Sequence, residues 1–186
     1  MLQKVTKSGI IGGLILFIWS MLVWTVLPWQ KHQFKGFMNE KSVSSVIKEN
    51  APSSGIYVLP DLRGCFDQDG LDKAKERMKK GPFMMATISL EGKSPDMIGA
   101  MIESLIGRII AAFFIAWVIY YAKLKQNKVI KFILSLSIAI ALSIALPYVI
   151  WMGCPMLFGF LTLLEAAIGW FLAGLAMAKI LVTHHG

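Results

Sequence analysis

Four long apolar runs decide most of what this chain can become. A helix that crosses a bilayer needs about 20 mostly apolar residues. The sequence supplies four such stretches, about Gly9 to Trp29, Met97 to Tyr121, Val129 to Ile150 and Leu157 to Leu181. Backbone amides and carbonyls have no water to bond in hydrocarbon, so such runs fold as helices that satisfy their own backbone. The fold class expected is an α-helical membrane protein: four transmembrane helices plus a small α/β extracytoplasmic domain between helices 1 and 2. Composition agrees, because 56% of the 186 residues are hydrophobic, more than a soluble domain of this size readily covers with polar side chains.

Orientation is read from Lys and Arg in the short flanks, which favour the cytoplasmic side. Lys4 and Lys7 precede the first run, Lys123, Lys125, Lys128 and Lys131 fill the loop between the second and third, and Lys179 ends the fourth. With four spans these places share one side, so both termini are expected in the cytoplasm. The uncharged loop from Trp151 to Met156 then lies opposite. The first run reads as an uncleaved anchor rather than a signal peptide. Its apolar core is long, and Trp24, Pro28 and Trp29 stand where a cleavage site wants small residues. The net charge of +8 is explained by this orientation bias, and no nucleic-acid partner is expected.

The division expected is 1–29 for the N-terminus and first span, 30–96 for the extracytoplasmic domain, and 97–186 for the other spans. Residues 30–96 carry eleven basic and nine acidic side chains, a nearly neutral surface. Asn39 is placed to cap a helix through about Glu49, with Val43, Val46 and Ile47 on one face. After Asn50-Ala-Pro-Ser-Ser-Gly55, the run Ile56 to Leu59 reads as a buried strand. Asp67 or Asp69 would cap a second helix through Lys79, with Leu71, Ala74 and Met78 inward. Gly81-Pro82 stops it, and Phe83 to Leu90 reads as a second strand. So short a segment makes a marginal core by itself, which predicts packing against the membrane helices, a membrane-protein partner or another copy.

Several motifs resemble those of a family of small four-span bacterial inner-membrane proteins to which no activity is assigned. They are Leu27-Pro28-Trp29 closing the first span, Asn50-Ala51-Pro52 leading to Gly55-Ile56-Tyr57-Val58-Leu59-Pro60, Gly81-Pro82-Phe83 opening a strand, and Ile168-Gly169-Trp170-Phe171-Leu172-Ala173-Gly174-Leu175 in the last span. The resemblance implies a multi-pass protein of the bacterial inner (cytoplasmic) membrane and carries over no chemistry.

The intramembrane charges Glu103, Arg108 and Glu165 are the default functional candidates, since charge inside a bilayer is costly and commonly paired. Counted from the outer helix ends at ~1.5 Å per residue, they lie about 9, 16 and 12 Å deep. Glu165 is thus expected to meet Arg108 across a contact between spans two and four, with Glu103 as a third member. The cluster reads either as an ion pair that fixes helix register or as a site handling a proton, cation or charged substrate. One Arg with two carboxylates would leave a charge of −1 unless a carboxylate were protonated.

Small residues allow membrane helices to approach closely. Gly9 and Gly13 supply a small-xxx-small pair in the first span, and Ala166, Gly169, Ala173 and Ala176 form a stripe in the fourth. Cys65 and Cys154 fall on the outer side, where a bridge between them is permitted; two free thiols fit the sequence equally. Asp67-Gln-Asp69-Gly70 opens like a calcium loop, but its Gly comes early and the terminal Glu is missing. His32 stands alone at an interface, and His184 and His185 form a tail pair without further ligands. No metal, cofactor or catalytic residue is expected, and two lone cysteines cannot form a thiol relay. Two readings follow: an accessory, assembly or regulatory component of a membrane complex, or a small oligomeric transporter or channel using the intramembrane charges.

Overall fold

A computed structural model describes residues 2–27, 29, 33–61, 63 and 68–182. Its elements in chain order are α1 (Leu2–Thr25), α2 (Glu40–Asn50), β1 (Gly55–Leu59), α3 (Gln68–Lys80), β2 (Met84–Ile88), α4 (Met97–Tyr121), α5 (Gln126–Ile150) and α6 (Met156–Leu181). α1, α4, α5 and α6 are each long and apolar enough to cross a membrane. The chain divides into two compact units: 1–34 with 96–147 and 155–186, and 35–95 with 148–154.

α1 starts at Leu2 rather than near Gly9 and ends at Thr25 rather than Trp29. The early lysines are tolerated because a Lys stem can lie along apolar surface while its ammonium reaches water. At the other end, the sequence places Pro28 just beyond, and the residue before a proline disfavours helical geometry. α4 has the expected bounds. Asp96 starts it, the carboxylate accepting bonds of 3.1 Å from the Ile98 and Gly99 amides. Ala122 caps its C-terminus, followed by Lys123 with φ 44°, a left-handed conformation that costs an L-residue ~1 kcal/mol. Lys123→Gly is therefore expected to stabilise the α4–α5 turn by about 0.5–1 kcal/mol, read as a rise in the unfolding midpoint in detergent.

The core of the first unit is made by α1, α4 and α6. α1 runs antiparallel to both, since Gly9 faces Phe113 and Gly13 faces Ile109, while Gly12 faces Met177 and Gly169 faces Trp19. A β-carbon on Gly13 would lie 2.5 Å from the Ile109 Cα, and one on Gly9 2.7 Å from the Phe113 Cα. The helices therefore touch backbone to backbone, which only glycine permits at these two positions. Ala112, Ala116, Ala173 and Met177 are fully buried beside them. Of the stripe in α6, Gly169 and Ala173 are buried while Ala166 and Ala176 are half-buried. Gly12 and Gly174 belong to this packing too, Gly174 meeting the buried Ile133 of α5.

The second unit has the expected order of helix, strand, helix, strand. Its strands pair antiparallel, with Gly55 opposite Ile88 and Leu59 opposite Met84. Asn39 caps α2, its side chain accepting from the Ser42 amide at 3.0 Å. Two expectations are corrected. The first strand is not buried: Ile56 is 73% exposed and Leu59 46%, because two strands without a covering layer cannot hide their apolar faces. Asp69 is not a cap but sits in the first turn of α3, bonded to Lys73 at 2.7 Å; Asp67 lies outside the described residues. Of the three side chains expected inward on α3, only Ala74 is buried, Leu71 and Met78 each being 43% exposed. After β1, Arg63 grips Asp61 at 2.8 Å and holds its carboxyl down at about 2.

Cys154 carries a free, half-buried thiol, and its amide donates to the Tyr148 carbonyl at 3.0 Å. Cys65, the other half of the bridge weighed above, lies outside the described residues, as do His32, His184 and His185. Maleimide is expected to modify Cys154 without prior reduction in detergent-solubilised protein. Cys154→Ser should accordingly leave non-reducing gel mobility unchanged.

Candidate functional site: a polar junction of three spans

Close packing of α1 on α4 sets up the junction. With Gly9 and Gly13 flush against α4, the next turns of α1 bring Leu16, Trp19 and Ser20 to the level of Arg108. Helical side chains lean toward the N-terminus of their own helix. In the antiparallel pair, Arg108 therefore reaches along α4 toward the C-terminal turns of α1. Its guanidinium donates three ways: Nη1 to the Leu16 carbonyl at 3.1 Å, Nη2 to Ser20 Oγ at 2.9 Å, and Nε to Ser104 Oγ at 3.3 Å. The Leu16 carbonyl is already positioned for its own helix and offers the arginine its second lone pair.

α6 enters from the other side. Ser20 Oγ donates to Glu165 Oε1 at 3.3 Å, and the Trp19 indole N–H donates to the Glu165 backbone carbonyl at 2.9 Å. Ser20 is only 8% exposed. Its hydroxyl has one hydrogen and two lone pairs, so accepting from arginine leaves that hydrogen for the carboxylate. Hydrogens thus run in one direction, from Arg108 to Ser20 to Glu165. A positive and a negative group are joined through a neutral hydroxyl at a point where α1, α4 and α6 meet. No buried side-chain nitrogen or oxygen among the described residues is left without a hydrogen bond.

The structure brings Arg108 and Glu165 to one serine and does not bring Glu103 to it. Glu103 is exposed on α4, and no hydrogen bond joins it to Arg108 or Glu165 among the described residues. Five residues on a helix correspond to about 140° of rotation from the starting face, so the two side chains of α4 point apart. The junction therefore balances one cation against one anion, and the expected surplus of −1 belongs to Glu103 alone. No family model, no curated protein and no solved structure matches the chain.

Sequence reasoning missed α1's part in this junction. Ser20 sits five residues before Thr25, about 8 Å from the helix end, at a depth compatible with Glu165. A small hydroxyl at matching depth in a neighbouring span was the available signal. Ser104, four residues before Arg108, was legible as a same-face neighbour. The Leu16 carbonyl had no signal in the sequence, because every backbone carries one.

Proposed function

We propose that this chain is a non-enzymatic membrane protein that assembles with, stabilises or regulates a larger membrane complex. In this reading it lies in a bacterial inner membrane with both termini cytoplasmic and residues 30–96 outside. The lysine distribution supports the orientation, and the motif resemblance supports the setting.

One observation carries the assembly reading: Glu103 stands exposed on a membrane-spanning helix while the other intramembrane charges are matched within the chain. A carboxylate facing lipid is costly, by about 2.5–3.5 kcal/mol at a span's centre and less toward its end. A basic or hydrogen-bonding side chain from a neighbouring protein removes that cost. The junction of Arg108, Ser20 and Glu165 supports a structural role, since Arg108 donates to the Leu16 carbonyl, Ser20 and Ser104, and Ser20 passes its own hydrogen to Glu165.

Co-purification after gentle detergent extraction tests the reading. The wild-type chain should bring down a stoichiometric partner, and Glu103→Leu should release it while leaving the unfolding midpoint of the isolated chain within about 1 kcal/mol. A homo-oligomer alone, with ion or solute flux in reconstituted vesicles that Glu103→Leu abolishes, would replace this reading by the transport one.

A further inference from the structure

The sheet of the second unit stops at two strands, so β1 is paired along one edge only among the described residues. A cavity of about 840 Å³ touches Gly55, Ile56, Tyr57 and Val58 in β1 and no residue of β2. Side chains alternate between the two faces of a strand. A space that meets four consecutive residues therefore follows the backbone edge, on the side away from β2. Its ends are lined by Pro52 and Ser53 before the strand and by Asp61 and Arg63 after it.

Every second residue of an antiparallel strand turns its N–H and C=O away from the partner already paired. Sheets commonly guard such a row of groups with Lys, Pro or a bulge. β1 has none of these: Gly-Ile-Tyr-Val-Leu is uncharged, and its register with β2 is unbroken. An isolated two-stranded sheet is marginal in water, and further strands are what stabilise it.

The size of the cavity and the sequence of the edge point to one occupant. A five-residue strand is about 17 Å long and takes about 4.8 Å of sheet width and about 10 Å of thickness, or roughly 800 Å³. β1 itself has five residues. Laid antiparallel on its own copy with Tyr57 opposite Tyr57, it sets Ile56 against Val58 and Gly55 against Leu59. Aromatic and β-branched residues thus meet their like, which are favourable cross-strand pairs. Charge agrees with this register. The Asp61–Arg63 pair, closed at 2.8 Å, passes the uncharged Ser53 and Ala51 of the copy, whereas a parallel copy would set like charges side by side.

We propose that the free edge of β1 pairs antiparallel with β1 of a second copy of this chain, about a two-fold axis at Tyr57, to form one continuous four-stranded sheet. The interface is isologous and independent of the partner reading, because Glu103 has no part in it.

The test uses the full-length chain carrying Cys65→Ser and Cys154→Ser, oxidised with copper phenanthroline in isolated membranes, with the products identified by mass spectrometry. Opposed Cα atoms of an antiparallel pair stand about 4.5–5.5 Å apart, within disulfide reach, and diagonal ones about 7–8 Å apart, beyond it. Tyr57→Cys is expected to give a covalent dimer. Ile56→Cys and Val58→Cys should crosslink when co-expressed and about fivefold less when either is alone. That mixture keeps the Tyr57 hydroxyl, which donates to the Ser53 carbonyl at 2.6 Å, and so reads the register even if Tyr57→Cys disturbs the turn. Ile56→Lys falls on a side chain that the single chain leaves exposed and removes two symmetric pairs. It should weaken the dimer about tenfold by light scattering in detergent, with the unfolding midpoint of the monomer unchanged. Glu103→Leu should leave the crosslink yield unchanged. Thiols at the three positions that accept maleimide yet form no dimer would overturn the proposal. So would Ile56→Cys alone crosslinking as well as the mixture, a dimer that Ile56→Lys leaves intact, or a crosslink from Tyr57→Cys to a different protein.

Discussion

Gly13→Leu is expected to prevent the transmembrane core from closing. The side chain would have to occupy space where a single β-carbon already falls 2.5 Å from the Ile109 Cα. Because that neighbour is backbone, it cannot swing aside, and α1 must lift off α4 over several residues. Overpacking usually costs 1–3 kcal/mol, and a contact against backbone belongs at about 3 kcal/mol or above. The loss extends to the junction two turns on, where Arg108 reaches the Leu16 carbonyl and Ser20 only while the helices touch. The expected readout is a collapse of the monodisperse peak in size-exclusion chromatography and a lowered unfolding midpoint. Gly107→Ala on α4 is the matched control: its β-carbon meets nothing within 4 Å, and the substitution should be neutral or stabilising by about 0.5–1 kcal/mol. Equal damage from both would mean that the close approach of α1 and α4 is not what glycine provides.

Replacing the arginine should be nearly as severe. Arg108→Met removes bonds to the Leu16 carbonyl, Ser20 and Ser104 together and takes away the positive charge joined to Glu165 through Ser20. Breaking one side of a fully buried charge pair costs about 3–5 kcal/mol, whereas removing both sides costs far less; Arg108 and Glu165 are half-buried and joined through a hydroxyl, which puts this loss at or below the lower end. Arg108→Met with Glu165→Gln is therefore expected to recover about half of the loss. Ser20→Ala deletes only the connecting hydroxyl and should cost about 1–2 kcal/mol. Arg108→Lys should not restore the wild type, because an ammonium cannot span the carbonyl and the hydroxyl as a planar guanidinium does. Unfolding midpoints of these four variants and of Glu165→Gln alone, in one detergent, decide the matter. Additive losses from Arg108→Met and Glu165→Gln would show that the two groups do not communicate through Ser20.

The spans were readable in the sequence because the bilayer makes an absolute demand, a run of about 20 apolar residues, and α4 satisfied it to the residue. Helix ends were less legible. α1 extends back past Lys7 and Lys4 because flexible lysines do not stop a helix, and α5 begins at Gln126, in polar residues that a hydropathy reading leaves in the loop. In the second unit the elements were legible from turn chemistry, as at Asn39 and Gly81-Pro82, but their burial was not. Alternation and β-branching mark Ile56 to Leu59 as a strand, whereas burial needs a covering layer that a local pattern does not reveal. For the junction, the charged members were conspicuous and the meeting of Arg108 with Glu165 could be guessed from depth. The hydroxyl that connects them could not, because serine in a span is ordinary until its rotation about the helix axis is known.

The same junction sets an order for biogenesis. α1 and α4 leave the ribosome before α6, and between them they already hold a carbonyl and two hydroxyls for the arginine. The most expensive residue in the membrane thus has its bonds available as soon as the first two spans meet. The glutamate follows later and finds the Ser20 hydrogen still unspent. A nascent chain released after α4 should therefore insert stably, while a chain lacking α1 should stall with α4 exposed to quality-control proteases.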